Sequence, residues 1–123
     1  MEHLARNGDV KSLFIRQVEG VSNFGDVSVK PMMAGREMTL LEITYPPGAG
    51  APPHIHRHET LCYVVSGRVH VSVGDEEFEM SAGDACVHPQ GVAHAIRGVE
   101  HATVLEVKSP AQPLATFLAI SES

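Results

Sequence analysis

The sequence predicts an all-β domain, a sandwich or closed barrel of roughly nine short strands. Three observations predict it. Apolar and polar residues alternate in short runs, and through residue 110 no stretch sustains the three-and-four spacing of an amphipathic helix. Gly, Pro and Asp punctuate those runs at short intervals. The chain has 123 residues, enough for one domain, and 43% of them are apolar, enough to fill the space between two layers.

In chain order, Phe14–Val18 and Val27–Lys30 read as short strands. Glu37–Tyr45 is a longer one, stopped by Pro46-Pro47-Gly48. Pro52-Pro53 excludes a helix there, because each ring removes a backbone donor and restricts the residue before it. Thr60–Ser66 forms a strand ended by Gly67, and Arg68–Val73 alternates cleanly. Gly74-Asp75 is a hairpin turn into Glu76–Met80. Ser81–Asp84 turns the chain into Ala85–His88, Pro89–Gly91 into Ala93–Arg97, and Gly98–Glu100 into a last strand, Ala102–Lys108. Leu114–Ile120 is either a final strand or a short helix. The expected division is N-terminal strands over 1–35, able to act as a dimer arm, a barrel core over 36–110, and a tail over 111–123 packing on the barrel.

Composition excludes several functions. Nine Lys and Arg against fifteen Asp and Glu leave a net charge of −6, which speaks against a nucleic-acid partner. The longest apolar run, Leu61–Val65, falls far short of the roughly 20 residues of a membrane span. Residues 1–10 mix charges and lack the apolar run of a secretory leader, so a cytoplasmic protein is expected. Cys62 and Cys86 are too few for a disulfide framework, and two free thiols are expected. Met32, Met33 and Met38 read as core or pocket lining.

The chemistry lies in the histidines. His54-Ile55-His56 places two imidazoles on one face of a strand, about 7 Å apart at their roots. Such a pair can converge on Zn, Fe, Ni, Cu or Mn. Taken alone it is more often just a polar strand face. His58 continues the same parity, and His88 precedes Pro89; each can face a pocket or solvent. His3, His70 and His101 carry no spacing signal.

The spacing around the pair resembles the first motif of the cupin superfamily: Gly48, five residues, His54-x-His56, and then Gly67 closing Tyr63-Val-Val-Ser. The second cupin motif follows as Gly83, five residues, Pro89-x-Gly91 and His94. Fifteen residues, Arg68 to Ala82, separate them, as in small bacterial cupins. The resemblance implies a double-stranded β-helix, or jelly-roll barrel. It also implies that His54, His56 and His94 hold a divalent metal ion inside it.

Two positions depart from the pattern. Thr60 stands where the motif has its carboxylate ligand, and Gly98 stands where it ends on Asn. Glu59 is adjacent to Thr60, but alternation points it outward unless a bulge intervenes. A three-histidine site completed by water is therefore expected.

Within the superfamily the layout is most similar to small cupins that linearise unsaturated uronates from pectin or alginate. In that group Gln replaces Thr60, and the last strand offers Asp, an aromatic, then Thr-Pro-x-Arg. Here those positions are Glu106, Lys108, Ser109-Pro110-Ala111 and Gln112. A strand carboxylate such as Glu106 ordinarily faces solvent. If Glu106 and His58 line the cavity, they are the candidates for moving a proton.

The resemblance implies an enzyme working on a small oxygen-rich substrate, such as a sugar acid, keto acid or related carbonyl compound. A non-catalytic small-molecule-binding or sensor cupin, and a dioxygenase, stay open beside it. It also implies a homodimer, since cupins commonly associate through the outer sheet. Finally, Cys62 and Cys86 would fall on neighbouring strands, where a cross-strand thiol pair can form.

Overall fold

The computed structural model describes residues 3–18 and 21–113. Among the described residues the chain forms twelve strands, one 3-10 turn at Asn7–Asp9 and no α-helix. The strands are β1 (Leu13–Phe14), β2 (Gln17–Val18), β3 (Val21–Ser22), β4 (Ser28–Ala34), β5 (Thr39–Tyr45) and β6 (Gly50–His54). They continue as β7 (Glu59–Ser66), β8 (Arg68–Val73), β9 (Glu76–Ser81), β10 (Ala85–His88), β11 (His94–Gly98) and β12 (Ala102–Ser109).

A six-stranded sheet in the order β1-β4-β5-β12-β7-β10 faces a four-stranded one in the order β6-β11-β8-β9, and β2 and β3 form a small ribbon. From β5 onward the chain passes back and forth between the two large sheets, which is the jelly roll expected from the motifs. Both inner faces contribute apolar residues to the core, with Val29, Leu41, Ile43, Val64 and Val104 on one side and Val69, Val71 and Ile96 on the other.

Alternation decides what enters the barrel. Along β12, Ala102, Val104, Glu106 and Lys108 all point inward and are buried. The register aligns Lys108 with Thr60 on β7 and Thr39 on β5, and Glu106 with Cys62 and Leu41. On β10, His88 faces Thr60 and Cys86 faces Cys62. One end of the inner face is therefore polar, and the other, around Val104, Val64 and Ile43, is apolar.

Several expectations need correcting. The segment 14–18 is not one strand but parts of β1 and β2. Pro52-Pro53 excludes a helix as expected, and residues 50–54 form a strand that was not foreseen. β6 is the edge of its sheet, and its pairing with β11 shifts between His94 and Ile96. Edges and bulges are where proline costs no ladder bond. The same reason extends β4 past Pro31 to Ala34, with a register shift between Pro31 and Met33. Met38 is exposed rather than core, and Met32 and Met33 are half-buried. The Gly74-Asp75 hairpin forms as expected, joining Val73 to Glu76 with Gly74 at φ 58°.

The tail returns to the barrel at Gln112, whose N–H donates to Thr39 Oγ1 at 2.8 Å. Leu114–Ile120 lies outside the described residues. No helix of the described residues is long and apolar enough to cross a membrane.

Candidate functional site

The end of β6, the segment after it and the start of β11 bring His54, His56 and His94 together at the polar end of the barrel. His54 and His94 are register partners across the two strands. Ring centroids lie 4.5 Å apart for His54–His56, 4.3 Å for His54–His94 and 4.9 Å for His56–His94. All three side chains are buried.

Their chemistry fits a metal ion. His54 Nδ1–H donates to the Pro52 carbonyl at 2.7 Å and His94 Nδ1–H to the Val92 carbonyl at 3.4 Å. A carbonyl only accepts, so both rings keep a lone pair on Nε2, as metal-binding histidines do. His54 Nε2 and His56 Nε2 stand 2.9 Å apart. Two nitrogens at right angles, each about 2.05 Å from one ion, have a separation of about 2.9 Å.

Burial, together with the Lys108 ammonium, pushes His56 down to about 2. Burial and neighbouring histidines push His94 down to about 3, and burial also lowers His54. The rings are neutral at physiological pH, the form that binds metal.

A buried polar chain lies beside this group. Lys108 Nζ donates to Thr60 Oγ1 at 3.2 Å and to His58 Nε2 at 3.3 Å, and pairs with Glu106 Oε1 at 3.3 Å. Those three partners match the three donors of an ammonium. Tyr45 donates its hydroxyl proton to the other Glu106 oxygen, Oε2, at 3.3 Å.

Burial alone would raise the Glu106 carboxyl, but Lys108 and the nearby histidines outweigh it and hold it below its ordinary value. Burial and Glu106 raise Tyr45, which keeps its proton. Burial and Lys108 lower His58 to about 4.

Both motif departures now have a physical setting. Thr60 is fully buried, and its hydroxyl accepts from Lys108 where the motif has a carboxylate. Glu59 stays exposed and takes no part. At Gly98 a Cβ would stand 2.5 Å from the Pro46 carbonyl oxygen, so the motif's Asn has no room.

A cavity of about 90 Å³ lies between the sheets, lined by the three histidines together with His58, Glu106 and Lys108. That volume holds several water molecules or a compact organic acid. Glu106 faces this cavity, not solvent, and His58 is buried in its wall. The reading of the sequence placed no role on Lys108, Tyr45 or Thr60. The signal for Lys108 was present, since it shares the inward parity of Ala102, Val104 and Glu106.

His88 is buried and stacks on His94 with centroids 4.1 Å apart and planes at 22°. Cys62 and Cys86 are free thiols on directly paired residues. Sharing a hydrogen bond raises Cys62 and lowers Cys86. His70 sits on the surface with Glu77 at 3.2 Å, and His3 and His101 are exposed.

Comparison with known proteins adds the following. Residues 41–108 match the family model for the Cupin domain. Comparison with curated proteins finds no match. Three solved structures illustrate the likeness of fold. KdgF from a Halomonas species is 24% identical, with a TM-score of 0.74 over 89% of this chain and 95% of that one. An RmlC-like cupin from Shewanella frigidimarina is 24% identical, with a TM-score of 0.76 over 91% and 94%. The polyketide cyclase RemF from Streptomyces resistomycificus is 22% identical, with a TM-score of 0.74 over 92% and 83%.

Proposed function

This chain belongs to the Cupin domain family, and from that premise we propose that it is a metal-dependent enzyme acting on a small oxygen-rich substrate. The substrate class is a sugar acid, keto acid or related carbonyl compound. One observation carries the reading: three neutral imidazoles and a buried ammonium–carboxylate pair share the wall of one small cavity. Burying such a pair costs several kcal/mol of desolvation per ion, which packing alone does not require.

His54, His56 and His94 would hold the ion, of the Zn, Fe, Ni, Mn or Cu type. When bound, it supplies a Lewis acid that polarises a substrate carbonyl or hydroxyl oxygen. With no carboxylate at residue 60, the three ligands are uncharged, and the site favours an anionic ligand. Lys108 adds a fixed positive charge within the cavity wall, held by Glu106 and Thr60. His58 is the proton acceptor: its ring is neutral and adjoins Lys108 at Nε2. Burial and the Lys108 charge oppose a positive charge on His58 while the Glu106 carboxylate favours one, so His58 and Glu106 are the residues assigned to proton movement.

The test uses chain purified without a histidine tag. Elemental analysis should give at least one divalent ion per chain, and His54→Ala with His56→Ala should remove one of them. Incubation with a panel of uronic and 2-keto acids, followed by proton NMR, should show turnover of at least one class. His58→Gln should lower that turnover by about 10²–10⁴-fold with metal retained. Ligands that raise the melting temperature without turnover would overturn the enzyme in favour of a binding or sensor module. Oxygen uptake with bound iron would favour a dioxygenase.

A homodimer belongs to the same reading. Leu61, Tyr63, Val65 and Val87 lie exposed on the outer face of the six-stranded sheet, an apolar row that a second copy would cover.

A further inference from the structure

A second set of metal-binding donors stands next to the three-histidine group, and the reading above leaves it unused. Cys62 on β7 and Cys86 on β10 are paired residues. His88, two residues beyond Cys86, points to the same inner side. Cys62 Sγ lies 3.9 Å from Nδ1 and 3.8 Å from Nε2 of His88. One ligand atom from each of the three residues lies within 4.8 Å of the others.

We infer that Cys62, Cys86 and His88 form a second metal site, for a thiophilic ion of the zinc class. The donor set selects the ion: two thiolates and an imidazole are soft to borderline ligands. For Zn–S near 2.3 Å and Zn–N near 2.0–2.1 Å, a tetrahedral ion sets S···S at about 3.8 Å and S···N at about 3.6 Å. The sulfur–nitrogen spacings present are within about 0.3 Å of that.

Charge also fits. Each thiol that is still protonated releases its proton to solvent as the ion enters, and two thiolates then neutralise a dication. The buried complex carries no net charge. The three-histidine site has no such compensation, so the two sites differ in the ion and the ligands they favour.

An entry path exists. β10 is the edge of its sheet, and Cys86 is half-buried rather than sealed in. Three donors leave a tetrahedral ion one open position.

The experiment titrates Co²⁺ into the reduced, chelator-stripped full chain and records thiolate-to-cobalt charge transfer in the near ultraviolet. The band should appear, saturate at one ion for the thiolate site, and persist when His54→Ala and His56→Ala remove the neighbouring site. Cys62→Ser with Cys86→Ser should abolish it, and His88→Ala should weaken Co²⁺ binding at least tenfold. Native mass spectrometry with Zn²⁺ should give two ions on the wild type and one on either double variant. A reduced wild-type chain without the band, or a band lost with His54 and His56, overturns the site. Recovery of Cys62 and Cys86 as a disulfide from reducing buffer also overturns it. The wild-type spectrum decides the question even where a variant fails to fold.

Discussion

Lys108 has three hydrogen-bonding protons and three buried partners, so the cost of removing any partner falls on a largely buried charge. Glu106→Ala leaves that ammonium unpaired and should cost about 3–5 kcal/mol in urea unfolding. Replacing both members, Glu106→Leu with Lys108→Met, should recover most of the loss, because the pair's desolvation disappears with it. A double variant as unstable as the single would show that the pair is not the source. Tyr45→Phe should cost less, about 1–3 kcal/mol, since it removes one donor from a carboxylate that keeps Lys108.

At the level of elements, glycines show how turn geometry and close packing separate. Gly67 and Gly83 both have left-handed backbones, at φ 80° and 93°. A Cβ on Gly83 meets nothing within 4 Å, whereas one on Gly67 would stand 2.7 Å from Ala102 Cα. Gly83→Ala should therefore cost only the conformational penalty, about 1–2 kcal/mol, and Gly67→Ala clearly more. Equal unfolding midpoints for the two variants would count against the close approach of β7 and β12 at that corner.

Of the strands read from sequence, β8 alternates cleanly because one buried face imposes a period of two. In sequence β5, β7 and β12 are largely apolar runs bounded by Gly, Pro or Asp, and their alternation shows only in burial. The histidine triad was legible only through the resemblance of its two motifs to those of cupins, which implied that the three rings meet. β6 was not legible, because its prolines are tolerated only through edge position and a register shift, which are properties of the sheet. Glu106 and Lys108 were misjudged by burial statistics for charged residues, since what admits them is a set of partners on β5, β7 and the segment before it.

For the molecule as a whole, acid is the natural adversary of the metal-free fold. His56, His94 and His58 sit at about 2, 3 and 4, below the ordinary value of 6.5 that they regain on unfolding. A depressed base gives stability that is fully present above 6.5 and lost as pH falls toward the folded values. Chelator-treated chain should have a lower urea midpoint at pH 5 than at pH 7.5, with more than one proton taken up per unfolding event. Added Zn²⁺ should raise the midpoint at pH 7.5 more than at pH 5.

Light scattering should give twice the 13.2 kDa chain mass, and Leu61→Lys with Val65→Glu should return it to one. β7 is committed on both faces, since Thr60, Cys62 and Val64 point into the barrel while Leu61, Tyr63 and Val65 point out. A saturation library of this chain should therefore be depleted at every consecutive codon from 60 to 65. Elsewhere in the barrel, where only alternate residues are committed, survivors should recur every second position.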